Sequence, residues 1–94
     1  MNAQAEVTHD ERRRRFELKA DGGTGFLTYL RDGGTVVFTH TVVPPELEGK
    51  GIGSRIVRAG LDYVRAEGFK VVPQCPFVGA YIERHPEYRD LLAA

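Results

Sequence analysis

The stretch ELEGKGIGS, residues 46–54, places Gly49, Gly51 and Gly53 at alternate positions around Lys50. The segment that follows, RIVRAGLDYVRAEG, reads as an amphipathic helix. Ile52, Ile56, Leu61 and Val64 recur at near-helical spacing, Arg55, Arg58, Asp62 and Arg65 fill the other face, and Gly68 is a natural stop. A glycine inside a helix costs roughly 1 kcal/mol relative to alanine, so three at a helix start call for a reason. A helix N-terminus offers unpaired amides and about half a positive charge. Without a β-carbon, the backbone there approaches a large anion closely. The spacing fits neither the nucleoside-triphosphate loop G-x-x-x-x-G-K-[ST] nor the dinucleotide fingerprint G-x-G-x-x-G.

Two further residues have types suited to chemistry. Cys75 is the only cysteine and ends the apolar run FKVVPQC. A lone cysteine there is ordinarily a small buried hydrophobe. Pro76, however, suits the first position of a helix. That makes Cys75 the cap residue, beside a positive helix end that lowers a thiol pKa. His40 shares alternation with Val36, Phe38 and Val42. On such a face a histidine is usually a hydrogen-bonded core residue, but paired with Cys75 it would favour the thiolate. The three histidines and one cysteine are too scattered for a metal site.

These residues need a scaffold. RFELKA (15–20) alternates as a half-buried strand, and Asp21-Gly22-Gly23 is a tight turn. GFLTYLR (25–31) is a second strand, Asp32-Gly33-Gly34 a second turn, and TVVFTHTVV (35–43) a third strand. Together they predict a three-stranded antiparallel meander. Pro44-Pro45 ends it, since proline has no amide for a sheet ladder. A helix then leads to a fourth strand, parallel to the third by a right-handed crossover. A short helix over 77–84 follows, and PEYRDLL adds a further turn or two. Residues 1–5 read as a loose end, and Arg12–Arg15 as a solvated strand edge. The expected fold is thus α/β, one domain over 1–94.

Acidic and basic side chains balance at 13 each, which argues against a nucleic-acid binder. The absence of an apolar leader, membrane span or second cysteine suggests a cytoplasmic monomer.

The order strand, Val-Pro exit, Gly-x-Gly-x-Gly and amphipathic helix resembles the GNAT superfamily of N-acetyltransferases. Its motif [RQ]-x-x-G-x-[GA] aligns here as Glu48-Gly49-Lys50-Gly51-Ile52-Gly53, with Glu48 an acid where Arg or Gln is usual. His-Thr-x-Val-Pro, Leu-Glu-Gly-Lys-Gly-Ile-Gly, Pro-x-Cys and Tyr-Ile-x-Arg-His-Pro-Glu-Tyr resemble the short, single-domain YidJ-type subfamily over residues 13–92. The resemblance implies acetyl-coenzyme A as donor, held by Thr41, Val42 and Val43 and by the loop Glu48, Gly49, Lys50, Gly51, Ile52, Gly53, Ser54 and Arg55. It places Cys75 near the reactive end of the donor. It also suggests Tyr81 as the acid that protonates the departing thiolate. The implied acceptor is an unidentified amine or other nucleophile, attacking directly with help from His40 or Cys75, or after Cys75 has taken the acetyl group. A coenzyme A-binding module without turnover is the alternative, since little chain remains to build an acceptor pocket.

Overall fold

The computed structural model describes residues 7–93; the expectation of a loose end over 1–5 lies outside them. Five strands run β1 (Val7–Asp10), β2 (Arg15–Ala20), β3 (Gly23–Asp32), β4 (Thr35–Val42) and β5 (Lys70–Pro73), and they pair in that order. The first four are antiparallel neighbours, and β5 lies parallel to β4. Helix α1 (Ile52–Glu67) crosses between β4 and β5, and α2 (Pro76–Arg84) follows β5. Short 3₁₀ turns span Pro45–Leu47 and Pro86–Leu91.

The meander and the parallel crossover are those read from the sequence; the strand β1 is an addition. Only four residues long, VTHD carries one strong apolar side chain. Its inward histidine, His9, stacks on Phe16 at 4.1 Å, so an aromatic contact replaces the aliphatic alternation that marks a strand. Arg12 to Arg14 form the β1–β2 turn, and Arg15 opens β2. They do not form a strand edge.

Helix α1 buries Ile52, Ile56, Val57, Leu61 and Val64 against Phe16, Leu18, Leu27, Val36 and Phe38 of the sheet. Gly60 permits the close approach: a β-carbon there would lie 3.0 Å from Phe38 Cζ. Gly68, at φ 74°, ends the helix in the left-handed region and donates to the Arg65 carbonyl.

Two irregularities shape the functional end. The first is a bulge in β4. Tyr29 pairs with Phe38 but Thr28 with His40, so Thr39 is an extra residue. The Thr39 hydroxyl is tied to the Thr28 hydroxyl at 2.6 Å and donates to its carbonyl at 3.2 Å. The second is the early end of β5. Its ladder with β4 stops at Phe38↔Pro73, and the last contact is Cys75 N–H donating to the Phe38 carbonyl at 2.9 Å. Beyond that level β4 runs on alone and a groove opens. The outer edge of β5 is covered where Ala93 N–H donates to the Val71 carbonyl.

Candidate active site

Each glycine of the loop has its own structural reason. Gly49 and Gly51 hold φ of 81° and 74°, which favour glycine, and a β-carbon on either would meet nothing within 4 Å. Gly51 is the N-cap of α1, and its carbonyl accepts the first helical bond, from Arg55 N–H. The amides of Ile52, Gly53 and Ser54 therefore have no intrahelical acceptor. Gly53 differs: its β-carbon would lie 2.9 Å from Phe77 Cζ. Its lack of a side chain lets α2 pack close, while its backbone still lines the mouth of the groove.

An open groove of about 490 Å³ runs from this loop toward the β4–β5 gap. Thr41 and Val43 line one wall, Glu48, Gly49, Gly51, Gly53 and Ser54 the mouth, and Phe77 and Arg84 the far side. Lys50 is exposed on the loop, Arg55 is half-buried on the first turn of α1, and Val42 is exposed on the opposite sheet face. Phe77 and Arg84 were not singled out from the sequence. Phe77 is 38% exposed, and the one sequence signal for it was its place directly after Cys75-Pro76. Arg84 stands inside the Tyr-Ile-x-Arg-His-Pro stretch, without a spacing that reads as chemistry.

Cys75 is the N-cap of α2, as Pro76 implied, and is 5% exposed. Its Sγ lies 3.2 Å from Thr41 Oγ1. Burial pushes the thiol pKa up, but the Thr41 hydroxyl and the amides of Val78, Phe77 and Thr41 outweigh it, and the net direction is down. Hydrogen bonds, not a paired base, thus shift Cys75 toward its thiolate relative to a free thiol.

His40 is a correction. The expected shared face with Val36 and Phe38 ends at the bulge, which slips the alternation by one residue. Thr41 now points inward to the sulfur, while His40 is exposed on the other face with Val42. A Cys75–His40 pair does not form. Tyr81 is buried on the second turn of α2, stacked on His85 at 4.0 Å and tilted against Tyr88 at 6.1 Å. Burial raises its phenol pKa, opposed by Arg58, so it is held as a protonated donor. Among the described residues no group of three or more His, Cys, Asp or Glu is placed to hold a metal ion. No helix among them is long and apolar enough to cross a membrane.

A mixed sheet that parts beside a glycine-lined helix start defines the GNAT class of α/β domains. Residues 15–91 match the family model described as GCN5-related N-acetyl-transferase, and the chain belongs to that family. Human protein NATD1 is 34% identical over 83 residues, covering 85% of this chain and 74% of its own. NATD1 of Danio rerio is 30% identical over 89 residues, covering 89% and 81%. In three dimensions the chain resembles the solution structure of a GCN5-like protein from Staphylococcus aureus. The TM-score is 0.75 at 24% identity, covering 99% of this chain and 92% of that one, a likeness of fold.

Proposed function

We propose that this domain transfers an acetyl group from acetyl-coenzyme A to an amine or similar nucleophile, and that Cys75 with Thr41 forms its reactive centre. The observation that carries this reading is the 3.2 Å contact between the buried Cys75 and Thr41, a residue that lines the groove the glycine loop opens. The loop amides suit a pyrophosphate, with Lys50 on the loop and Arg55 on the first turn of α1 adding positive charge. The unpaired side of β4 beyond Phe38 suits a donor arm that carries its own amides, added like a strand.

In the covalent route the Cys75 thiolate attacks the thioester carbonyl, the carbon–sulfur bond to coenzyme A breaks, and the coenzyme leaves as a thiolate. The acceptor amine then attacks the S-acetyl group, the Cys75 thiolate is released, and the amine's proton passes through solvent to the coenzyme thiolate. In the direct route the amine attacks the thioester, and the pair Cys75–Thr41 serves the proton transfers. Incubation with acetyl-coenzyme A, followed by intact mass, separates the two. An acetyl adduct on wild type, absent from Cys75→Ala and decaying faster when an amine is added, supports the covalent route. Full transfer by Cys75→Ala would remove the cysteine from the chemistry. Undetectable coenzyme A binding by calorimetry at millimolar concentration would defeat the proposal as a whole.

A further inference from the structure

A second cleft, of about 400 Å³, lies at the other end of α1 and is lined by Glu11, Arg14, Tyr29, Arg31, Gly33 and Tyr63. Tyr63 follows Ile52 by eleven residues, which at 1.5 Å rise per residue puts the two ends about 16 Å apart. The buried ring of Phe38 packs against Tyr29 at 6.2 Å, within the core on the sheet side of this cleft. The acyl-transfer groove has no lining residue in common with it.

We propose that this cleft binds a small molecule bearing a carboxylate or phosphate, gripped by Arg14 and Arg31. Arg31 is preset for the task. Its guanidinium lies 4.1 Å from the Phe69 ring centroid and its Nε donates to the Gly33 carbonyl at 3.1 Å, which leaves the terminal nitrogens to a ligand. Arg14 makes no side-chain hydrogen bond or ion pair among the described residues. Its backbone sits at φ 56°, the one non-glycine in the left-handed region among them. Tyr29 N–H donates to its carbonyl at 3.0 Å, fixing the turn against β3. The Tyr29 hydroxyl is held by His9 Nε2 at 2.5 Å, and the Tyr63 ring meets His9 edge-on at 4.5 Å. Two guanidinium groups beside aromatic walls match an oxyanion on a compact organic body. Glu11 sets the limit: a polyanion would be repelled, whereas a ligand with a hydroxyl or ammonium opposite its oxyanion would find an acceptor there.

The test is an amide-correlation NMR titration of the whole chain with inorganic phosphate and, separately, with 4-hydroxybutyrate, a monocarboxylate with a hydroxyl at its far end, at constant ionic strength. Saturable shifts confined to Arg14, Arg31, Gly33, Tyr63 and their neighbours, with either probe, support the site; the stronger probe identifies the oxyanion. Arg14→Gln and Arg31→Gln should each weaken binding about tenfold, the loss of one charge-assisted contact. Arg12→Gln, in the adjoining cleft with Asp10 and Arg13, should leave it unchanged. Shifts spread over all basic residues, an Arg12→Gln loss equal to that of Arg14→Gln, or no saturation with either probe would overturn the proposal. Retained spectral dispersion in each variant separates loss of the site from loss of the fold.

Discussion

Replacing Thr41 by valine removes one hydroxyl from Cys75 and changes little else, because the side chains have nearly the same shape. In the thiolate state that hydroxyl, 3.2 Å from Sγ, donates to a charge. Such bonds contribute about 1.5–3 kcal/mol, and about 1.4 kcal/mol is a factor of ten in the thiolate population. At neutral pH the variant should therefore hold at least tenfold less thiolate. A more basic thiolate is also a better nucleophile, with a Brønsted slope of about 0.4–0.5. Roughly threefold of the loss is thereby recovered. The net expectation is alkylation by iodoacetamide about threefold slower at neutral pH, and a pH–rate profile displaced to higher pH. Thr41→Ser, which keeps the hydroxyl, should restore both. Mass spectrometry of alkylated chain against time gives the rates. Equal rates for wild type and Thr41→Val, or failure of Thr41→Ser to restore them, would show that the backbone amides of Phe77, Val78 and Thr41 hold the thiolate and that the Thr41 side chain is packing.

Gly53→Ala should keep the fold, since Phe77 is 38% exposed and has room to swing, but it should alter coenzyme A affinity. If Phe77→Ala abolishes that effect in a double-mutant cycle, the two residues act as one contact. Gly60→Ala faces the buried Phe38 and Leu27 instead, at 3.0 and 3.1 Å. Overpacking of about 1–3 kcal/mol should exceed the helix-propensity gain of about 1 kcal/mol, a net loss readable in urea unfolding. Tyr88 is buried and its hydroxyl donates to Asp62 Oδ1 at 2.7 Å; burial first, then that bond, push its pKa up to about 12. The unfolded chain releases this proton from about pH 10. Stability should accordingly be complete below pH 10 and fall between 10 and 12, by on the order of 1–2 kcal/mol once the 56% exposure of Asp62 is allowed for. Tyr88→Phe should flatten that alkaline decline, and a decline of unchanged depth would assign it elsewhere.

The repeating parts of the fold were legible because local chemistry and tertiary structure agree there. Asp21-Gly22 and Gly33-Gly34 turn where glycine is needed, and α1 begins and ends at Gly51 and Gly68. Cys75 as a helix cap followed from Pro76 for the same reason. What escaped were features decided across the sheet. β1 depends on His9 finding Phe16, a contact with no trace in its own four residues. The face of His40 depends on how β4 registers against Thr28 and Tyr29, and an alternating string of residues cannot announce an added one. Phe77 owes its place to Gly53, on a different helix.

The bulge at Thr39 makes the identity of the sulfur's neighbour a matter of counting. His40 and Thr41 are adjacent in the chain, and only the one supernumerary residue selects between them. Giving Thr39 a partner, by one residue inserted between Thr28 and Tyr29, would restore strict alternation, carry His40 inward and turn Thr41 out, whereas deleting Thr39 would leave both faces as they are. A single codon thus separates a neutral hydroxyl partner from a titratable imidazole partner. The pH response of the centre could then change without any substitution in it, and related chains should be aligned through this strand with that one-residue ambiguity in view.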